Sequence, residues 1–144
     1  MNLAEQNLHI LIPVTISLIL FRRTSPVFLQ ILLIGMIVFE LMNFSKQQYM
    51  LDTSAFLLGV TVLVYAVYSF WKKRYLRSVL GTLIIIPVIF QFFLYDHHET
   101  VAYISIASMV LSAYLIFHWK QNMFDLALII MLAFQSLKQL YTII

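Results

Sequence analysis

The ionisable side chains that fall inside apolar blocks are the first candidates for chemistry in this sequence. Only 10% of the residues are charged, whereas 62% are hydrophobic. Glu40 lies inside one such block, about 21 Å along a helix that would begin at Pro26, and Lys138 lies at a similar depth in the last block. Because a charge in apolar surroundings is costly unless it is paired, we expect Glu40 to pair with Lys138.

Glutamines at comparable depths extend this pair into a predicted polar cluster. Gln135, Lys138 and Gln139 fall at i, i+3 and i+4, on one helical face. Such a cluster would bind a small polar ligand or a coupling ion. The alternative is that both charged side chains extend to the nearest interface, and the two interpretations remain open. The predicted cluster consists of Glu40, Gln91, Gln135, Lys138 and Gln139.

A second candidate is the polar turn that begins at Asp96. Imidazole and carboxylate groups are metal ligands, and His97, His98 and Glu99 follow one another here. Adjacent residues do not share a helix face, so only a turn would bring the three side chains together on one ion. The alternative is a solvated turn between two helices. The chain has no cysteine, and neither an H-E-x-x-H nor a G-x-S-x-G motif is present. We therefore predict no catalytic residue, and no cofactor is indicated.

The amino-acid composition predicts the environment of the elements that position these candidate side chains. Soluble domains are about 45–50% apolar and about 25% charged, and the mean hydropathy here is +0.94. The solvent for most of the chain is therefore predicted to be lipid. The net charge of +3 does not predict nucleic-acid binding, because the basic residues fall between apolar blocks and do not line one face.

Six apolar blocks separated by short polar turns predict an all-α fold. We expect a polytopic helical membrane bundle of about six transmembrane helices, arranged as three hairpins with short loops, in a single domain over residues 1–144. The predicted spans are 3–21, 26–44, 51–71, 75–95, 101–119 and 123–142.

Basic residues concentrate in alternate turns and predict the orientation. The first, third and fifth turns hold two, four and one of the nine Lys and Arg residues. The positive-inside rule then makes these turns cytoplasmic, with both termini outside, in a multi-pass cell (inner) membrane protein. We expect six of these residues to determine topology or to contact anionic lipid: Arg22, Arg23, Lys72, Lys73, Arg74 and Arg77.

The sequence favours a function by non-catalytic binding, as a membrane-embedded accessory or ligand-binding subunit of a larger membrane complex. Its expected partners are the bilayer and another membrane protein or further copies of itself. The alternative is an oligomeric transporter or channel for a small solute that uses the polar cluster. A lesser alternative is a membrane enzyme that uses the Asp96–Glu99 turn.

Overall fold

The computed structural model describes residues 3–44, 47–92 and 98–143, and this part of the chain is all-α, as predicted. A 3-10 turn, Phe21–Arg23, follows the first helix. Helix α6 begins three residues later than predicted, because residues up to Asp125 form turns in which the Asp125 amide donates to the Asn122 carbonyl at 3.2 Å. The helices are α1 (Leu3–Leu20), α2 (Val27–Met42), α3 (Gln48–Trp71), α4 (Tyr75–Phe92), α5 (His98–Phe117) and α6 (Leu126–Ile143).

Two stretches in the described helices are long and apolar enough to cross a membrane, by length and composition. They are Gln48–Trp71, which is all of α3, and Glu99–Phe117 in α5. Shorter apolar stretches are Val27–Met42, Tyr75–Phe90 and Leu126–Tyr141. The number of membrane spans therefore stays a prediction.

Helix α6 forms the centre of the bundle. It packs against α1, α2, α4 and α5, and Leu128, Ile129 and Leu132 are at most 1% exposed. At the far end of α6 from Asp125, the His9 and Tyr141 rings pack at 5.7 Å between centroids, which aligns α1 antiparallel to α6. Groups on α6 can therefore meet groups from most other helices.

Helices α3 and α4 approach each other closely at one glycine and are joined by one tight turn. A Cβ at Gly81 would lie 2.8 Å from the Ala66 Cβ, so only glycine permits this approach. Lys73 adopts a left-handed conformation, φ 59°, and the Arg74 amide donates to the Ser69 carbonyl at 2.8 Å. This pattern ends α3 and starts α4 within three residues.

Large apolar side chains lie on the outer surface of the bundle as well as in its core, and on α5 small polar side chains face inward. On α5, Ser105, Ser108 and Ser112 are all 0% exposed, whereas Val110 is 66% and Phe117 84% exposed. The Ser108 Oγ donates to the Ser136 Oγ at 2.8 Å and the Ser112 Oγ donates to the Ser108 carbonyl at 2.7 Å, whereas the Ser105 Oγ has no hydrogen-bond partner among the described residues. Small hydroxyl side chains on α5 thus permit close contact with α6, and large apolar side chains face outward.

Candidate functional site

The structure places the carboxylate of Glu40 beside the ammonium of Lys138. The Lys138 Nζ lies 3.8 Å from the Glu40 Oε2, and the side chains of lysine and glutamate are 28% and 7% exposed. The two residues come from α2 and α6, which pack directly against each other. The expected pairing is therefore present, and its function stays a prediction.

Two residues that sequence analysis missed hold the Glu40 carboxylate in place. The Asn43 Nδ2 donates to the Glu40 Oε2 at 3.1 Å, and the Ser54 Oγ donates to the Asn43 Oδ1 at 2.7 Å. Ser54 is on α3 and is 1% exposed. This relay connects the end of α2 to α3. We call Glu40, Lys138, Asn43 and Ser54 the Glu40 cluster.

The predicted glutamines on α6 lie three residues before and one residue after Lys138, and part of their hydrogen-bonding capacity is unused. The Gln139 Nε2 donates to the Ile84 carbonyl of α4 at 3.4 Å. The Oε1 atoms of Gln135 and Gln139 are both buried and accept no hydrogen bond. Gln91 belongs to α4, and its side chain lies outside what the structure describes. Buried carbonyl oxygens of this kind normally have a donor, so they mark a place where a ligand or water can bind.

A second polar cluster lies at the opposite end of α6 and was not predicted as a site. The Arg77 Nε donates to the Asp125 Oδ2 at 2.5 Å, and a second guanidinium nitrogen of Arg77 donates to the Asn122 Oδ1. The Tyr65 hydroxyl donates to the same Asp125 oxygen at 2.8 Å. We call Tyr65, Arg77, Asn122 and Asp125 the Asp125 cluster. It joins α3 and α4 to the turn that precedes α6.

Backbone and aromatic contacts complete the surroundings of the Asp125 cluster. The Asn122 Nδ2 donates to the carbonyls of Leu115 at 3.0 Å and His118 at 3.1 Å. The guanidinium carbons of Arg74 and Arg77 lie 4.0 and 4.8 Å from the centroid of the Phe124 ring. Apart from the Asp125 Oδ1, which has no hydrogen-bond partner, these groups satisfy one another. The cluster therefore stabilises the packing of α3 and α4 against the turn that precedes α6.

Arg77 differs from the other five residues that were expected to determine topology or to contact lipid. Arg22, Arg23, Lys72 and Lys73 are exposed and Arg74 is half-buried, whereas Arg77 is 9% exposed. Its guanidinium is directed inward by Asp125 and Asn122 and is not available to a lipid headgroup. A signal was present in the sequence, since Arg77, Leu80 and Ile84 fall at i, i+3 and i+7, on the buried face of α4.

Of the three predicted metal-ligating side chains, the structure describes only that of Glu99. His97 lies outside the described residues, and so does the side chain of His98. Glu99 is exposed in the first turn of α5. Within ranges 3–44, 47–92 and 98–143, no group of three His, Cys, Asp or Glu side chains is arranged to hold an ion. The metal site stays a prediction.

An apolar groove of about 380 Å³ lies between α3 and α4. Its lining contributes no polar surface, so it can take only an apolar occupant. The lining residues are Phe56, Gly59, Val60, Leu63, Ile85, Val88 and Ile89.

Comparison with known proteins does not identify a family for this chain. No protein-family model, no curated protein and no solved structure matches the chain.

Proposed function

We propose that this chain is an integral membrane protein that acts by binding, as an accessory or ligand-binding subunit of a larger membrane assembly. The large number of exposed apolar side chains on the outer surface of the bundle carries the proposal. Exposed apolar side chains such as Ile19 at 73%, Val27 at 68% and Val110 at 66% lie on three different helices. A soluble protein rarely exposes contiguous apolar patches of more than a few hundred Å², whereas lipid is the natural solvent for such a surface.

The lengths of the helices support the same proposal. The six helices have between 16 and 24 residues, which corresponds to about 24–36 Å at about 1.5 Å per residue. The hydrocarbon core of a bilayer is about 30 Å thick. The shorter helices fit if polar or aromatic residues at their ends lie at the membrane–water interface.

Exposed cations support a cytoplasmic position for the turns after α1, α3 and α5. Arg22, Arg23, Lys72, Lys73 and Lys120 are all exposed. Without Arg77, these turns still hold more Lys and Arg residues than the turns at the other end, so the positive-inside rule favours an orientation with both termini outside.

The arrangement of the polar groups supports binding more than catalysis. In the part of the chain that the structure describes, the Asp125 cluster is an ion pair within the fold, and the Glu40 cluster holds a carboxylate against Asn43 and Lys138. On the same helix as Lys138, Gln135 and Gln139 each have a buried amide oxygen that accepts no hydrogen bond from the described residues, and polar groups with unused hydrogen-bonding capacity are suited to holding a ligand. Because the turns between the helices are short, we expect a partner protein to contact the chain through the surfaces of its helices.

Two single-cysteine variants test the membrane placement, since the native chain has no cysteine. Gln48→Cys and Gln121→Cys change exposed neutral residues near opposite ends of the bundle. We expect the protein to resist alkaline carbonate extraction. An impermeant maleimide should label Gln48→Cys in intact cells, and Gln121→Cys only after permeabilisation. Release by carbonate, or equal labelling of both variants from outside, would refute the placement.

Affinity purification of the full chain with its native lipids tests the subunit proposal. We expect a second membrane protein to be recovered in stoichiometric amount after solubilisation in mild detergent. Recovery of the chain alone, as a monomer, would contradict it.

Transport of a small solute is the second candidate, and the ion pair between the buried Glu40 and the partly exposed Lys138 favours it. Ionisable groups inside membrane bundles commonly mark ion or substrate pathways. In this case purification should yield a self-assembled particle that supports solute flux in proteoliposomes. Glu40→Gln should abolish that flux, while Lys72→Met, which removes an exposed cation, should leave it unchanged.

A further inference from the structure

We infer that the α3–α4 hairpin binds one anionic phospholipid, with an acyl chain in the apolar groove between the helices and the headgroup phosphate at the turn that joins them. The inference rests on the proposed membrane placement and adds to it a defined site and the chemical class of its ligand. It requires no partner protein.

The groove is suited to an apolar chain that enters from the side. It has a volume of about 380 Å³, and the residues that line it contribute no polar surface. It opens to the outer surface of the bundle, because the lining residues Val60 and Leu63 are 43% and 50% exposed. In a bilayer this surface would face acyl chains, so a lipid can reach the groove directly.

The exposed face of the hairpin continues from the groove to the turn. On α3, Val67 and Phe70 follow Leu63 at i+4 and i+7, on one helical face, and are 59% and 63% exposed. The Phe70 ring packs against the ring of Tyr75, the first residue of α4, with 5.7 Å between centroids. Tyr75 is itself 56% exposed. An apolar strip shared by both helices therefore connects the groove to the turn.

The distance from the groove to the turn corresponds to one leaflet of a bilayer. Lys72 follows Leu63 by nine residues, which is about 14 Å at about 1.5 Å per residue. Half of the hydrocarbon core is about 15 Å thick. A lipid whose headgroup lies at Lys72 can therefore place the end of its acyl chain at Leu63, the lining residue of α3 that is nearest to the turn.

The turn supplies the positive charge that an anionic headgroup requires. Lys72 and Lys73 are both exposed. No aspartate or glutamate occurs in residues 53–95, which include α3, the turn and α4. Asp125, which contacts α4, is already paired with Arg77. An anionic phospholipid would supply in one molecule both the apolar chain and the negative charge that this face of the hairpin lacks.

Quenching of tryptophan fluorescence by brominated lipids tests the site in the purified full chain in detergent micelles. The chain has two tryptophans, so the reference variant Trp119→Phe leaves Trp71 as the probe. Trp71 ends α3 and is 82% exposed. Phosphatidylglycerol and phosphatidylcholine with the same dibrominated chains are titrated separately. Because two cations at the membrane surface should favour an anionic headgroup about thirtyfold, half-maximal quenching should require about thirtyfold less phosphatidylglycerol.

Substitutions in the turn test the position of the headgroup. Lys72→Gln should lower the preference for phosphatidylglycerol about fivefold, and Lys72→Gln/Lys73→Asn should abolish it. Asparagine is used at residue 73 because it tolerates the left-handed conformation found there. Lys120→Gln is the matched control and should keep the preference. The Nζ atoms of Lys72 and Lys120 each lie 5.9 Å from the centroid of an aromatic ring, but Lys120 belongs to the turn after α5.

A substitution in the groove tests the position of the acyl chain. Val60→Phe should raise the half-maximal concentration of both lipids about tenfold, because its ring takes the place of about two methylene groups of the chain. Val110→Phe, on the exposed face of α5, is the control and should leave both titrations unchanged.

Three results would overturn the inference: equal quenching by the two lipids in the reference variant, a preference that survives loss of both lysines, or equal titrations of Val60→Phe and Val110→Phe. If Val60→Phe instead dissociates a dimer while the lipid titrations stay the same, a second copy of the chain occupies the groove and the inference is wrong. The cysteine labelling and the affinity purification test membrane placement and subunit function separately, so a failure here is distinguishable from a failure of either.

Discussion

Replacing Arg77 with methionine removes the positive charge of the Asp125 cluster and leaves its carboxylate buried. The Asp125 side chain is 1% exposed, so water cannot replace the two guanidinium contacts to Asp125 and Asn122. Tyr65 would remain as the donor to Asp125. Breaking a buried pair by removing one partner costs about 3–5 kcal/mol. We expect Arg77→Met to lower the free energy of unfolding by about that amount.

The double variant Arg77→Met/Asp125→Leu separates the cost of a lone charge from the value of the pair. Replacing both partners with apolar residues is often nearly neutral. The double variant should therefore recover about 2 kcal/mol or more relative to the sum of the two single variants.

Unfolding by titration with sodium dodecyl sulfate in mixed micelles measures these free energies. Arg23→Met is the matched control, because it removes the same charge from an exposed residue at the same end of the bundle. We expect its free energy of unfolding to stay within about 0.5 kcal/mol of the wild type. The reasoning fails if Arg77→Met is no more destabilising than Arg23→Met, or if the two substitutions at Arg77 and Asp125 are additive.

Three further substitutions test the packing by the same assay. Tyr65→Phe removes one hydrogen bond to the Asp125 carboxylate and should cost about 1.5–3 kcal/mol; no loss would mean that the hydroxyl contact contributes nothing. Gly81→Ala places a Cβ 2.8 Å from the Cβ of a neighbouring alanine and should cost about 1–3 kcal/mol. Gly35→Ala, whose Cβ would meet nothing closer than 3.8 Å, should be neutral or stabilising by up to about 1 kcal/mol, so equal effects at the two glycines would refute the packing argument. Ser108→Ala removes the cross-helix hydroxyl contact at 2.8 Å and should cost about 0.5–1.5 kcal/mol, with Thr82→Ala as the exposed control.

The number and approximate positions of the described helices were predictable because the apolar blocks and their polar turns are local features of the sequence. The pairing of Glu40 with Lys138 was predictable for a related reason, since the helical rise places both residues at similar depth. The relay through Asn43 and Ser54 was not, because its geometry depends on how the end of α2 meets α3. Sequence spacing contains no information on that contact.

The Asp125 cluster was missed because local context suggested another role for each of its members. Arg77 stands next to a run of cations, so it was grouped with the exposed residues of the turn. Asp125 lies near the start of the last predicted span, 123–142, where it interrupts the apolar sequence. Their contact spans 48 residues of chain, and it could be predicted only by knowing that α4 and α6 are neighbours. The periodicity of Arg77 with Leu80 and Ile84 was the one available indication of its burial.

The central position of α6 has a consequence for the order in which the chain becomes stable during synthesis. Arg77 is made 48 residues before Asp125, which at about 5–20 residues per second means roughly 2–10 s without its partner. Glu40 precedes Lys138 by 98 residues and so remains without that partner for roughly 5–20 s. The first five helices thus carry two uncompensated charges until α6 arrives. Until then the nascent chain lacks both ion pairs, so we expect it to be less stable than the finished bundle.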